Sequence, residues 1–378
     1  MIKQHRVLFI SAPIGAGHLR AAQAVKKALE IYGDTEVESR IANIFDFFHP
    51  SIGKMILSVY LKILKVFPQA YGAAYGWGNT SSLALLGREL ISRFLAGRMH
   101  RYIEKYNPSI IVCTHATPAG LIAYLLRKEK IHVPAVAVVT DYVVHRLWIY
   151  PEIHQYIVAN SHLKEILCRE GIQESKIQCM GIPVDVQFAQ PVDHRAVLEK
   201  LSLQPFHSTL LIMGGGAGLL PMDNILEIVN RLDYPLQVLV ITGNNKEMYC
   251  RLKKCQYKHP TRIFGYVDNV HELMSISDLI ITKPGGLTAA EALSKGLPML
   301  IYRPIPGQEE ANTCQLLQLG AAVQADTLCQ LETRLVELLI NNPQDLKRLS
   351  ENAAAAGRAN SALLVSQYII SLLEKLND

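Results

Sequence analysis

Four loops in this chain combine glycines, a helix start and polar side chains, and each follows a short apolar run. The first is Ser11-Ala12-Pro13-Ile14-Gly15-Ala16-Gly17-His18. Gly15 and Gly17 let the backbone come close to a ligand, and a helix N-terminus favours negative charge. His18 falls in the first turn of the following helix. A neutral imidazole is favoured there, which is the form a general base needs; the plainer reading is a polar surface histidine. A dinucleotide fingerprint needs Gly or Ala at the third position of G-x-G-x-x-G/A, and that position is Arg20, a bulky cation that blocks close helix–strand packing. No G-x-x-x-x-G-K-[ST] sequence occurs, which argues against a P-loop nucleotidase.

The second loop, Met213-Gly214-Gly215-Gly216-Ala217-Gly218, suits close approach of a phosphate or sugar, or is simply a flexible turn. The third is Thr282-Lys283-Pro284-Gly285-Gly286-Leu287-Thr288, followed by a helix over Ala289–Lys295. Successive backbone N–H groups at a helix start can cradle a diphosphate. Glu291 lies one turn beyond Thr288 on the same side, where a carboxylate can accept two hydrogen bonds from a ribose diol. The fourth runs from Arg303 to Asn312. Pro304 and Pro306 stiffen it, while Gln308, Glu309 and Asn312 offer the directional donors and acceptors that sugar hydroxyls need.

These loops require a scaffold that ends strands beside helix starts. Arg6–Ala12, Ser109–Thr114, Ala135–Thr140, Gln155–Ala159, Thr209–Met213, Gln237–Thr242, Leu279–Thr282 and Met299–Tyr302 read as buried parallel strands, with few charges. Helical patterns lie between them, as at Leu19–Tyr32, Ala116–Lys130 and Met222–Asn230. That alternation is an α/β architecture. Pro183, Pro191 and Pro205 punctuate a polar stretch, and strand periodicity restarts after it. The division expected is two doubly wound Rossmann-like domains, 1–187 and 188–360, with a ligand cleft between the carboxyl ends of their strands. The last helix, 361–378, could cross back to either.

Composition narrows the class. The chain has 378 residues, 49% hydrophobic and 19% charged, which excludes a disordered chain and fits about two or three domains. Seven cysteines without C-x-x-C spacing exclude a zinc ribbon and read as reduced thiols in a cytosolic setting. Signal-peptide and membrane-spanning patterns are both missing from the sequence. A net charge of +5 is too small to argue for nucleic acid. The charge is uneven, +7 over 1–187 and −2 over 188–378, and 50–105 alone carries eight cations against Glu89 and Glu104. Within it, Ile52, Met55, Ile56, Val59, Ile63, Val66 and Phe67 recur at helical spacing, opposite Lys54, Ser58, Lys62 and Lys65. A buried helix is one reading. Those lysines, with Tyr71, Tyr75 and Trp77, favour an interfacial helix on anionic lipid.

The four loops, in this order, resemble the glycosyltransferases that make monoglycosyl diacylglycerols: the monogalactosyldiacylglycerol synthases and the processive diacylglycerol glucosyltransferases, which are related to the lipid-II-forming N-acetylglucosaminyltransferase. The resemblance spans nearly the whole chain and is closest at Ser11–Ala24, Val139–Trp148, Gly265–Glu291 and Pro306–Asn312. It implies a GT-B fold, a UDP-hexose donor on the C-terminal domain, a diacylglycerol acceptor on the N-terminal domain, and inverting transfer without a metal or other cofactor. His18 matches the loop histidine of catalysis or acceptor binding. Lys283, Gly285, Gly286 and Thr288 match the diphosphate loop; Leu287 within it, and Gly214, Gly215 and Gly216 of the second loop as phosphate-facing, complete the donor site expected. Glu291 matches the ribose acid, Gln308 and Glu309 the sugar-binding pair, and Gly265-Tyr266-Val267 the stretch whose backbone holds uracil.

Inverting transfer needs one base for the acceptor hydroxyl and charge stabilisation for the leaving diphosphate. The base system expected is His18 with Asp141, which is the base itself, an orienting group or a loop cap. Thr140-Asp141 with His145 and Trp148 also looks like the family's pattern. The acceptor and membrane side then comprises Gly15, Gly17, Lys54, Lys62, Lys65, Trp77, His145 and Trp148, on the inner face of the cell membrane. Rival readings are transfer to a polyprenyl-linked peptidoglycan intermediate, a UDP-sugar epimerase, and a nucleotide-sugar-binding membrane regulator without turnover. Gln308 and Glu309 do not separate glucose from galactose.

Overall fold

The computed structural model describes residues 5–12, 16–33, 37–47, 96–216, 218, 220–305 and 307–376. It divides into two units: one holds the described residues up to Val186 and those from Asn360 onward, and the other holds Gln187–Ala359 apart from 306–308. Each is built on one all-parallel six-stranded sheet.

In the first unit the strands are β1 (His5–Ser11), β2 (Val37–Asn43), β3 (Ile110–Cys113), β4 (Ala135–Val138), β5 (Gln155–Val158) and β6 (Ile177–Cys179), with helices α1 (Ala16–Tyr32), α2 (Ala116–Arg127) and α3 (Ser161–Arg169) among the connections. Their order across the sheet is β2-β1-β3-β4-β5-β6. The chain therefore winds one way from β1 to β2 and the other way from β3 onward. The carboxyl ends of β1 and β3 flank the crevice where such sheets bind ligands. Phe9, Val112, Val136 and Ile157 are fully buried and share one core with Val25 of α1. A further helix, α12 (Ser361–Glu374), adds Val365, Ile369 and Leu373 to that core. Buried Ser361 ties its start to the unit, donating from Oγ to the Ile182 carbonyl at 2.8 Å and accepting from Val184 N at 3.1 Å.

The second unit carries α4 (His194–Lys200), β7 (Ser208–Met213), α5 (Met222–Arg231), β8 (Leu236–Ile241), α6 (Lys246–Leu252), β9 (Thr261–Phe264), α7 (Val270–Ser275), β10 (Leu279–Thr282), α8 (Gly286–Ser294), β11 (Met299–Tyr302), α9 (Gln308–Gln318), β12 (Ala322–Ala325), α10 (Leu328–Val336) and α11 (Pro343–Ala356). Its order is β12-β11-β10-β7-β8-β9, so the winding reverses between β7 and β10. Thr282 is paired with Met213 at that reversal, and its hydroxyl donates to the Met213 carbonyl at 2.8 Å.

The apolar runs mark the central strands well, because those strands are covered on both faces. The strands not foreseen, β2, β6, β9 and β12, lie at or next to sheet edges and carry polar residues such as Glu38, Arg40, Gln178, Arg262 and Gln324. α8 starts three residues earlier than the sequence suggests, which places Gly286, Leu287 and Thr288 in its first turn rather than in the loop. All seven cysteines are free thiols, and Cys113 alone is buried. Among the described residues, no helix is long and apolar enough to cross a membrane.

Candidate active site

In the first unit, chemistry gathers at the β1–β3 reversal. α1 begins at Ala16, so His18 sits in its first turn, just after β1. Its Nδ1 lies 2.5 Å from Thr140 Oγ1, two residues beyond β4. The Thr140 hydroxyl is also 3.3 Å from the Thr114 carbonyl at the end of β3, and the His18 ring bonds that same carbonyl. The ring of His115 packs edge-on against His18, with centroids 4.6 Å apart. His115 is the N-cap of α2: its Nδ1 accepts from Thr117 N at 3.0 Å. Burial pulls the His18 imidazole down to about 4 against a usual 6.5, opposed by the hydrogen bond to Thr114. His145 also falls to about 4, through burial and the charge of His18, and His115 is held well below its usual value for the same reasons. All three rings are therefore neutral at pH 7, and a neutral imidazole can accept a proton. Ser11 Oγ and Thr114 Oγ1, at the ends of β1 and β3, are buried with no hydrogen-bond partner among the described residues, which marks the same crevice as polar.

The second unit gathers its polar groups at the β7–β10 reversal. Gly285 is the N-cap of α8, and a Cβ built on it meets no atom within 4 Å among the described residues, so they leave the helix start open to a ligand. Free N–H groups and the helix dipole make such an end attractive to a diphosphate. Asn312 of α9, fully buried, holds this loop by donating from Nδ2 to the Pro284 carbonyl at 3.0 Å. Lys283 stands before the helix, its Nζ 3.9 Å from Glu309 Oε2. Burial lowers the Lys283 ammonium and raises the Glu309 carboxyl, each outweighing the pull of its partner. The pair is thus poorly compensated, and an incoming phosphate would give Lys283 a stronger counter-charge. Arg303 follows β11 with φ 47°, a left-handed backbone that only a few per cent of non-glycine residues adopt, and its charge also depresses Lys283. Glu291 is buried on α8, 4% exposed.

The glycine loop after β7 has a structural task as well. Gly216 accepts from Asn244 N at 3.0 Å, and a Cβ on Gly218 or Gly243 would lie 2.3 Å from the Thr242 carbonyl or 2.6 Å from that of Gly216. Two loops at the carboxyl edge therefore interlock backbone to backbone, as glycine alone permits. Gly214 and Gly215 precede this contact, and among the described residues nothing lies within 4 Å of a Cβ on Gly215. Gly265, Tyr266 and Val267 follow β9, with the Tyr266 ring half exposed. Glu309 Oε2 accepts from Ile305 N at 2.7 Å, while Gln308 opens α9.

The structure thus brings together His18 with the Thr140–Asp141 segment, and Lys283, Gly285, Gly286, Leu287, Thr288, Glu309 and Asn312 around one helix start. Asp141 is buried, 4% exposed. Trp148 corrects the expectation of an acceptor contact. It lies in a 3-10 turn, 1% exposed, with its carbonyl 3.0 Å from the buried Tyr156 hydroxyl, so it is core and presents no surface to a lipid. Gly17 lies in the first turn of α1, whereas Gly15, Lys54, Lys62, Lys65 and Trp77 lie outside the described residues. His115 was not singled out by the sequence, and Thr140 was named only within the Thr140-Asp141 pattern, with no role of its own. The available signal was their position just after β3 and β4, the strands next in order after β1. Among the described residues, no group of three or more His, Cys, Asp or Glu side chains could hold a metal ion.

Two doubly wound parallel sheets, each with its polar groups at the winding reversal, define the GT-B class. Solved structures share it: MurG of Acinetobacter baumannii aligns over 98% of this chain and 99% of its own with a TM-score of 0.62 at 15% identity, and the S. aureus MnaA–UDP complex over 99% and 98% with 0.64 at 15%. The monogalactosyldiacylglycerol synthase model matches residues 18–184, and the glycosyltransferase family 28 C-terminal domain matches 209–368. The processive diacylglycerol beta-glucosyltransferase of a Bacillus cereus strain is 30% identical over 327 residues, covering 85% of this chain and 82% of that protein. The Bacillus licheniformis and Bacillus subtilis proteins of that name are each 28% identical, covering 97% and 98% of this chain and 95% and 96% of theirs. This chain belongs to that family of diacylglycerol glycosyltransferases.

Proposed function

We propose that this protein transfers a hexose from a UDP-sugar to the free hydroxyl of diacylglycerol, inverting the anomeric centre and releasing UDP. The Bacillus relatives are named glucosyltransferases, which supports glucose as the sugar transferred. The observation that carries the reading is His18: a neutral imidazole at the β1–β3 reversal of a chain from this family.

His18 Nε2 takes the acceptor proton as the oxygen attacks the anomeric carbon. The bond to the diphosphate breaks, and the developing charge meets the N–H groups at the start of α8 together with Lys283. These donors are fixed before reaction, so they need little reorganisation at the transition state. Glu291 receives the ribose, Gly265–Val267 the uracil, and Gln308 and Glu309 the hexose, while buried Asn312 holds the loop before α8. Asp141 has a supporting role beside His18. Neither the donor nor the transfer calls for a bound metal in this scheme. The acceptor lies in a membrane, and the basic apolar segment around Lys54, Lys62 and Lys65 is the docking surface for its anionic headgroups on the inner leaflet.

The test is an acceptor panel with radiolabelled UDP-glucose and UDP-galactose, offered vesicles holding diacylglycerol or a polyprenyl-linked peptidoglycan intermediate. Label appearing in diacylglycerol alone, with UDP-glucose preferred, is the expected result. Label appearing only in the polyprenyl lipid would overturn the acceptor.

A further inference from the structure

We propose that Thr140 is a positioning residue: its hydroxyl fixes His18 in the Nδ1–H tautomer and keeps the Nε2 lone pair directed at the acceptor. This deepens the reading of His18 as the base and rests on it.

The argument is a proton count. His18 Nδ1 lies 2.5 Å from Thr140 Oγ1. A carbonyl only accepts, so the hydroxyl that meets the Thr114 carbonyl must bring the hydrogen. The Thr140 hydroxyl faces that carbonyl at 3.3 Å and donates its own hydrogen there. Its oxygen is left as an acceptor towards Nδ1–H. Every hydrogen in the triangle His18–Thr140–Thr114 is then placed, and Nδ1 is closed to chemistry. The remaining nitrogen, Nε2, holds the lone pair.

The neighbouring rings do not compete for this arrangement. His115 has Nδ1 committed as an acceptor from Thr117 N, and its ring meets His18 edge-on rather than through a hydrogen bond. Thr140 itself is 3% exposed and sits beyond β4, so its rotamer is set by the strand end rather than by solvent. A hydroxyl in this place differs from a carboxylate. It orients the ring without supplying a negative charge, so the imidazole stays neutral until the acceptor proton arrives. Histidine bases lose much of their rate when the wrong tautomer is populated, because the lone pair then points away from the substrate.

The experiment uses the full-length protein with 15N-labelled histidine, wild type against Thr140→Val and Thr140→Ser, with His18→Gln to assign the signals. Nitrogen shifts report which ring nitrogen carries the hydrogen. The wild type is expected to show His18 as Nδ1–H. Thr140→Val is expected to move it towards Nε2–H and to lower kcat by roughly 10- to 100-fold, within the range attributed to a single acid–base group, with the donor KM within about twofold. Thr140→Ser restores both. A wild-type His18 in the Nε2–H form overturns the proposal. So does a Val variant with wild-type kcat, or one whose rate falls while the tautomer stays put. If Thr140→Val fails to fold, the wild-type spectrum and the Ser variant decide alone: Nδ1–H with retained kcat supports the proposal, and either result lost overturns it. Transfer that survives His18→Ala would instead refute the base assignment, while the spectra still report on Thr140.

Discussion

Mild acid should weaken this fold through its buried histidines, and for two of them the effect can be counted. His18 and His145 are each held at about 4, against 6.5 for a solvated imidazole. Unfolding returns both to the ordinary value. Between these values the unfolded chain binds protons that the folded chain refuses, so stability is complete above pH 6.5 and declines as the pH falls towards 4. At pH 5 the gap is about 1.5 units for each ring, or roughly 2 kcal/mol apiece and about 4 kcal/mol for the pair. Glu309 and Asp278 act in the opposite sense, since burial raises their carboxyl groups. That contribution is common to wild type and a His18→Gln variant, so their difference isolates His18. The assay is urea unfolding of both proteins at pH 7.5 and pH 5.0. Wild type should lose about 2 kcal/mol more than His18→Gln over that interval. Equal losses would refute the desolvated, neutral His18 on which the base assignment stands.

Three further outcomes follow from other sites. Asn312→Ala removes a buried donor to the Pro284 carbonyl; it should cost about 1–3 kcal/mol in thermal or denaturant unfolding and raise the donor KM by loosening the loop before α8. Gly218→Ala and Gly243→Ala force a Cβ into a carbonyl at positive φ. Each should cost on the order of 1–3 kcal/mol or more and weaken UDP binding measured by calorimetry, whereas Gly285→Ala, with open space around it, should leave unfolding unchanged. Reversing Lys54, Lys62 and Lys65 to Glu should abolish binding to anionic vesicles, at about 1 kcal/mol per lost cation before the new repulsion is counted, and unchanged binding would sink the lipid-docking role of that segment.

Much of the scaffold could be read before any coordinates. Strands such as Leu279–Thr282 and Met299–Tyr302 are buried on both faces, so they appear as uninterrupted apolar runs. β2, with Glu38 and Arg40 paired to only one neighbour, does not, and neither does the short edge strand β12. The glycine loops and helix starts were equally visible, because positive φ and an open N-cap demand particular residues. What escaped depends on tertiary adjacency. Thr140 matters because β4 lies beside β3 and β3 beside β1, which brings residues 18, 114 and 140 into one triangle. Trp148 was placed on the acceptor side by the family's pattern alone, whereas in the fold the Tyr156 hydroxyl bonds its carbonyl and the core buries it. Glycines 216, 218 and 243 show that a phosphate-loop composition can also serve loop-to-loop packing.

The central claim is that His18 drives hexose transfer to diacylglycerol, and single-turnover transfer tests it most directly. Enzyme in excess is mixed with radiolabelled UDP-glucose and diacylglycerol vesicles, and label in the organic phase is followed for wild type and His18→Ala, with UDP affinity measured in parallel. The account predicts rapid formation of labelled glycolipid by wild type and a loss of about 100-fold or more in the variant at unchanged UDP affinity. Labelled glycolipid formed at the wild-type rate by His18→Ala would contradict it.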